Sequence, residues 1–557
     1  MMLHERLKEF VSENEKYVII RDIINKRFGT TLSVDFLRHQ IEFFSSSDVY
    51  RSYLMLSVDI NDLIEDYQAL TNYSIIFIKI EPMTRKCMIC PNNNGILPAF
   101  QLSKTFFFKE NVLEQCITLY SYCKYCKWSF YPNSYSQDAT RKQFVERKSF
   151  CEAKSFYFGG ECVYSNEIFR AFSSALLCMY SSFHGYVQHY NNLVKNKTLF
   201  TEKKLDEKNF QINWIMFNVL KLLFLWDDKD TIEIPFSLIN VDEVNEFFDR
   251  HKNNLYILFV RYWSNCQNHR SFNCTNSCID IMVVDGHQKT ARVTCNFNNC
   301  YDNTIEELGP VLIGCAKSAT KNSKTNPHGL CAMHKEQVDC LGTQIMKFDP
   351  SNEVSDDECN VKRHELSDNT IRTLTYGFLA SFYSCGIIAG FDESIRSESP
   401  RRVLRHLIKI GKFLSTFMWS NIYFIGKISK LPVGIMYDNA CSIKLYINAR
   451  YGSVYFKSTP ISDQLFNKVH FVLDSFHQQN HTRHMCKNEM KANHPSHNNM
   501  FDCINSQIAE QTFSTISHYK AHWSSYTYPK SFINFVIFFH LYNCKLTNTL
   551  FKICSNT

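Results

Sequence analysis

Two textures of apolar spacing run along the chain. In residues 150–270 aromatic and leucine positions recur at helical spacing, as in IFRAFSSALLCMYSSFHGYVQHY and NWIMFNVLKLLFLW, which predicts a mostly helical domain. From about residue 275 the pattern shifts to short β-type runs, CIDIMVVDG, QKTARVTC, LPVGIMYDN and KVHFVLDSF, each ending in or just before a polar residue. These runs alternate with helical segments, the pattern of an α/β sheet domain. The longest charge-free apolar run, YGFLASFYSCGIIAGF from Tyr376 to Phe391, is 16 residues long and holds three glycines. It falls short of the roughly 20 residues that cross a bilayer and is predicted as buried helix, within a helical insertion over about 365–425. Residues 1–80 mix charged helical patterns with one strand-like run, YSIIFIKI, and carry no evident chemistry. The acidic stretch SNEVSDDECNVKRHE reads as an exposed linker, and 526–557 as a C-terminal helix and tail.

Composition narrows the class. A length of 557 residues suits three or four domains at roughly 150 residues each, and 45% hydrophobic content excludes a wholly disordered chain. A net charge of +7 is compatible with a nucleic-acid partner without demanding one. The opening MMLHERLKEF is charged and no apolar stretch follows it, so no secretory signal or membrane segment is expected. The 23 cysteines gather in CxxC pairs and Cys/His groups, which points to a reducing compartment and thiolate metal sites rather than a disulfide framework.

Cys87, Cys90, Cys123 and Cys126 form two CxxC pairs within 81–149. Each pair sets two thiolates on one tight turn, and two such turns facing each other make a four-cysteine structural zinc site of the zinc-ribbon kind; Cys116 is a spare candidate. Cys295, Cys315, Cys331 and His334 give a second set, three thiolates and one imidazole, in an insert over about 295–334, with Cys300 competing for one place. His477, His481 and Cys486 form a third group in DSFHQQNHTRHMC. On a helix the two histidines, four apart, would share one face and could bind metal, contact phosphate or pack, with Cys441 or Cys503 as a fourth ligand. The basic run RSESPRRVLRHLIKIGK offers Arg401, Arg402 and Arg405 either as a solvated helix face or as phosphate contacts to DNA.

Three carboxylates stand where catalysis could use them: Asp285 after CIDIMVV, Asp438 after LPVGIMY, and Glu510 in the helical NSQIAEQTFSTISHYK, where Ile508, Phe513 and Ile516 can pack the helix. Acids at adjacent strand ends, joined by one from a helix, can hold two Mg²⁺ ions about 4 Å apart for in-line attack on phosphate. A strand-end aspartate is equally common as a turn residue or helix cap, and Asp474, ending KVHFVLD, meets the same criterion. No GxxxxGK phosphate loop and no GxSxG elbow is present, which disfavours nucleotide hydrolases and serine hydrolases. A Cys441–histidine nucleophile pair is a weaker account of the same residues.

The words around these acids, VVDGHQKTARVTC, LCxxH, TYGFLASFYSCGIIAGFDESIRSESP, YDNAC, DSFHxxNH and NSQxAEQ, resemble the Kyakuja–Dileera–Zisupton group of eukaryotic DDE transposases. The resemblance covers about residues 80–525 and is clearest over 280–515. It implies a ribonuclease H-like domain over 271–525 with zinc-binding inserts, and it makes Asp285, Asp438 and Glu510 the triad that holds Mg²⁺ or Mn²⁺. It also implies DNA as substrate, nuclear action and a homo-oligomer that pairs two DNA ends. The chain departs from the group in His-Gln-Lys after Asp285-Gly286 and in AEQTFS around Glu510. Two functions remain open on this reading: an active transposase, or a domesticated, catalytically silent descendant that binds DNA or protein through its zinc modules. In an unrelated zinc scaffold the three acids would lie apart.

Overall fold

The structure is a computed structural model that describes residues 13–45, 78–90, 96–195, 203–415 and 431–549, apart from 228, 270–273, 275–277, 291–293, 296, 298–299, 320–328, 342–375, 396–398, 503, 520–521 and 524–525. The acidic linker and Cys503 lie outside the described residues. The chain is mixed α/β and divides into two compact units, Met1–Phe169 with Tyr190–Leu205, and Arg170–His189 with Asp206–Thr557. Among the described residues no helix is long and apolar enough to cross a membrane.

The first unit is built on a long antiparallel pair, Ala99–Phe108 against Leu113–Tyr122. Across it the buried Thr105 and Thr118 hydroxyls bond at 2.8 Å, pinning the register. The shorter strands Ser129–Phe130, Tyr135–Gln137 and Lys142–Glu146 extend the sheet beyond Leu113–Tyr122, and Cys162–Ser165 pairs with the outer side of Ala99–Phe108.

The second unit carries a five-stranded sheet of β1 (Ile281–Thr290), β2 (Tyr376–Tyr383), β3 (Ile388–Ser394), β4 (Gly434–Tyr437) and β5 (His470–Val472). Its order is β3-β2-β1-β4-β5; β2 runs antiparallel to both of its neighbours, while β1, β4 and β5 are parallel. The helices α1 (Glu207–Trp226), α2 (Val241–Trp263), α3 (Pro400–Ser415), α4 (Ala440–Arg450), α5 (Ile508–Ile516) and α6 (Lys530–Leu546) complete the unit. Side-chain caps start α1 and α2: Asp206 accepts from the Asn209 N–H, and Asn240 accepts from those of Asp242 and Glu243. One face of the sheet presents Phe378 and Phe391 to Phe535 and Phe539 of α6, with ring centroids 5.0–5.9 Å apart. On the other face Ser381 bonds His406 of α3 at 2.7 Å.

The run Tyr376–Phe391 is therefore a β-hairpin, β2 and most of β3, and not the buried helix that its length and apolarity suggest. Both of its faces are covered, so the apolar-polar alternation that identifies a half-buried strand is missing. The reversal falls at Ser384-Cys385-Gly386, where Gly386 takes a φ of +86°, left-handed backbone that glycine adopts without steric cost. Only α3 of the expected helical insertion is helix among the described residues.

The basic run on α3 also turns inward. Arg405, on a side chain 8% exposed, donates to Asp302 at 2.5 Å and pairs with Asp392 of β3. Burial opposes ionisation of Asp392, but the Arg405 guanidinium and neighbouring cations outweigh it and hold the carboxyl below its ordinary range. Arg402 donates to the Ile313 carbonyl at 3.1 Å, and Arg401 to the carbonyls of Leu308 and Pro310 at 2.7 and 2.8 Å. These guanidinium groups staple the segment after Asp302 to α3; the buried Arg402 and Arg405 turn inward rather than offering themselves to DNA, while Arg401 is only partly buried. Removing one partner of a buried ion pair strands the others without compensation. Arg405→Ala is accordingly expected to lower stability by about 3–5 kcal/mol, measured by urea titration, with the more exposed Arg401→Ala costing far less.

Candidate active site and metal centres

Parallel pairing sets the site. Val284 of β1 lies opposite Tyr437 of β4, and Met436 lies opposite Val472 of β5. Continued by one and two residues, these registers bring Asp285, Asp438 and Asp474 to the same level on three neighbouring strands. Asp285 does not end its strand as the sequence suggests; β1 runs on to Thr290 along β2, and what stops at Asp285 is the parallel neighbour. Glu510 comes from the first turn of α5. That helix is held down by buried Phe513, whose ring lies 5.0 Å from His287 and 5.6–5.7 Å from Phe378 and Phe382. Asp285, Asp438, Asp474, His477 and Glu510 line one pocket, with Val283, Val284 and Met436 at its strand side.

His477 Nδ1 is 2.7 Å from Asp474 Oδ2 and 3.7 Å from Glu510 Oε1. Asp285 Oδ1 accepts from the Gly286 N–H at 2.7 Å. Asp438 Oδ1 and Glu510 Oε2 are shut off from solvent with no hydrogen-bond partner. Burial, reinforced by the charge of Asp474, pushes the Asp438 carboxyl above its ordinary range despite His477 and His481. Glu510 is raised by burial, with the charges of Asp474 and Asp438 adding to it. Carboxylates converging from three neighbouring strands and a helix, with one oxygen of Asp438 and one of Glu510 unpaired, are hard donors under mutual repulsion, a donor set that suits a hard divalent cation. The three acids singled out from sequence are thus brought together, and Asp474 joins them.

The histidines four apart do not share a face. Only Gln478–Asn480 forms a single 3₁₀ turn, and His481 is extended at φ −90°, ψ 131°. His477 therefore turns to the carboxylates while His481 turns to Cys441 and Cys486, with Nδ1 3.5 and 3.7 Å from their sulfurs. Cys441, His481 and Cys486 are buried and could hold a metal ion, and the His481 ring also bonds the Asp438 backbone. Such an outer contact fixes ring orientation at a metal ligand.

Cys87, Cys90, Cys123 and Cys126 close into one cluster in the first unit, with Sγ–Sγ distances of 3.5 Å for Cys87–Cys126 and 3.9 Å for Cys90–Cys123. Burial works against the Cys123 thiolate, but the backbone N–H groups of Cys126 and Tyr125 outweigh it and hold its pKa near 6. The spare Cys116 stays apart, buried among Ile80, Phe107, Tyr157 and Val163 and pushed up to about 11 by that burial. Cys295, Cys315, Cys331 and His334 make a second, fully buried cluster in the other unit. Cys295 and Cys331 sulfurs lie 3.4 Å from His334 Nδ1, whereas Cys300 lies 3.6 Å from Nε2, on the far side of the ring. Both clusters could hold a structural zinc, with all four places filled by protein. A further group, Cys274, Cys278 and Cys385, went unread in the sequence. Its one local signal is the CxxxC spacing; its third member sits in the hairpin turn mistaken for helix.

No protein-family model, no curated protein and no solved structure matches the chain. The crowding of acids carries its own expectation. Asp438→Asn removes a buried carboxylate crowded by Asp474 and should raise the thermal midpoint of the metal-free protein, by about 2–4 °C for each kcal/mol relieved. A pocket that takes a hard cation is expected to give the wild type an upward shift in millimolar Mg²⁺ or Mn²⁺ and the variant none, both read by scanning fluorimetry.

Proposed function

We propose that the second unit is a ribonuclease H-like nuclease domain of the DDE transposase kind, acting on DNA through Asp285, Asp438 and Glu510. One observation carries this reading: three strand aspartates at one level, facing a helix-borne glutamate, with two buried carboxylate oxygens left unpaired. The sheet supports it, because the parallel strands β1, β4 and β5 lie side by side and carry the aspartates to one edge. So does the Cys/His cluster lying between β1 and β2, where the resemblance puts a zinc insert.

In this reading Asp285, Asp438 and Glu510 bind Mg²⁺ or Mn²⁺, and Asp474 holds the His477 ring at the edge of the pocket, where its outer nitrogen can meet a phosphate oxygen. The bound cations supply activation of a water or a DNA 3′-hydroxyl and stabilisation of the leaving oxygen. Zinc at the four-ligand clusters is structural, because no coordination position is left open for substrate. DNA as partner, nuclear action and a homo-oligomer that pairs two ends belong to the same proposal. A silent, domesticated descendant is favoured by one feature: the His477 ring already engages two of the acids, with Nδ1 2.7 Å from Asp474 and 3.7 Å from Glu510.

Cleavage and strand transfer on DNA separate the two. The active reading expects Mg²⁺- or Mn²⁺-dependent nicking by the wild type, reduced to background in Asp285→Ala, Asp438→Ala and Glu510→Ala proteins that keep their wild-type circular dichroism. A silent descendant shows no cation-dependent nicking on any DNA, and its thermal midpoint does not respond to Mg²⁺.

A further inference from the structure

We propose that Cys274, Cys278 and Cys385 form an additional thiolate zinc site that ties the entry of β1 to the β2–β3 turn. The sulfurs of Cys274, Cys278 and Cys385 lie within 4.8 Å of one another, and none of the three is in a disulfide. The Cys274 thiol donates to Cys278 Sγ at 3.0 Å, too far for a covalent bond.

The surrounding hydrogen bonds already draw these three segments together. The Ser384 N–H and hydroxyl both donate to the Cys278 carbonyl, at 3.4 and 3.2 Å. The Tyr383 hydroxyl donates to Ser264 Oγ at 2.8 Å, joining the turn to the end of α2. An all-sulfur donor set selects a thiophilic d¹⁰ cation and excludes Mg²⁺. The cluster shares no ligand with the carboxylate pocket, yet it reaches that pocket mechanically. Gly386, next to Cys385, packs so closely on Ile508 that an added Cβ would lie 3.3 Å from Ile508 Cδ1. Ile508 opens α5, two residues before Glu510. A metal that fixes the turn therefore fixes the support on which the third carboxylate rests.

Two measurements test the site. Native alkylation of the wild-type chain, purified in reductant and read by peptide mass spectrometry, should leave Cys274 and Cys385 protected until a zinc chelator is added, while exposed Cys151 and Cys178 react at once. Metal analysis should find one zinc fewer per chain in Cys274→Ser/Cys385→Ser than in wild type, as Cys90→Ser would lose one at its own cluster. Alkylation of Cys274 and Cys385 at the rate of Cys151 before chelation, recovery of a Cys274–Cys278 disulfide, or unchanged zinc content in the folded double variant would each overturn the proposal. Should the variant fail to fold, the alkylation pattern of the wild type decides alone.

Discussion

The second unit depends on a register. Val284 opposite Tyr437 and Met436 opposite Val472 align three aspartates, and side chains on a strand alternate faces, so a slip of one residue in β4 would carry Asp438 to the other side of the sheet. Steric crowding locks this register. At Gly434 an added Cβ would fall 2.6 Å from Ile281 Cδ1 and 2.7 Å from the Phe501 ring, so any other residue of β4 in that place would force those side chains to shift. A glycine at the start of β4 thereby fixes where its last carboxylate stands.

How far the sequence disclosed this differs from residue to residue. Asp285, Asp438 and Glu510 were legible because each follows or sits in a short, strongly patterned segment whose neighbours carry recognisable words. Asp474 met the same strand-end test, and nothing local could rank it, since its partnership with His477 and Glu510 is decided by tertiary packing. The CxxC and CxxH pairs disclosed their clusters because a tight turn brings ligands together whatever the rest of the fold does. Tyr376–Phe391 misled because a strand buried on both faces loses alternation, and its lone turn glycine looks the same in a helix-length apolar run. The arginines of α3 misled for another reason: spacing along a helix reports which side chains share a face, not what covers that face. Their partners, Asp302, Ile313 and Asp392, come from other segments.

Hard and soft donors are kept separate in this unit even where they are close. Asp438 and Cys441 are three residues apart at the start of α4, yet the carboxylate turns to an all-oxygen pocket edged by one imidazole, and the thiol turns to His481 and Cys486. The two donor sets therefore favour different cations, the thiolates a thiophilic one and the carboxylates a hard one.

The path of the chain through the sheet sets how it must fold. β1 and β2 are adjacent antiparallel strands, which a two-residue turn could join, yet residues 291–375 intervene and carry one of the Cys/His clusters. A pairing so distant in sequence pays its loop-closure entropy before any ladder bond rewards it, which makes it slow. The central strand is consequently among the last elements to be completed. A newly made chain exposes the apolar edge of β1 for as long as that takes, and it must be shielded from other chains until β2 arrives.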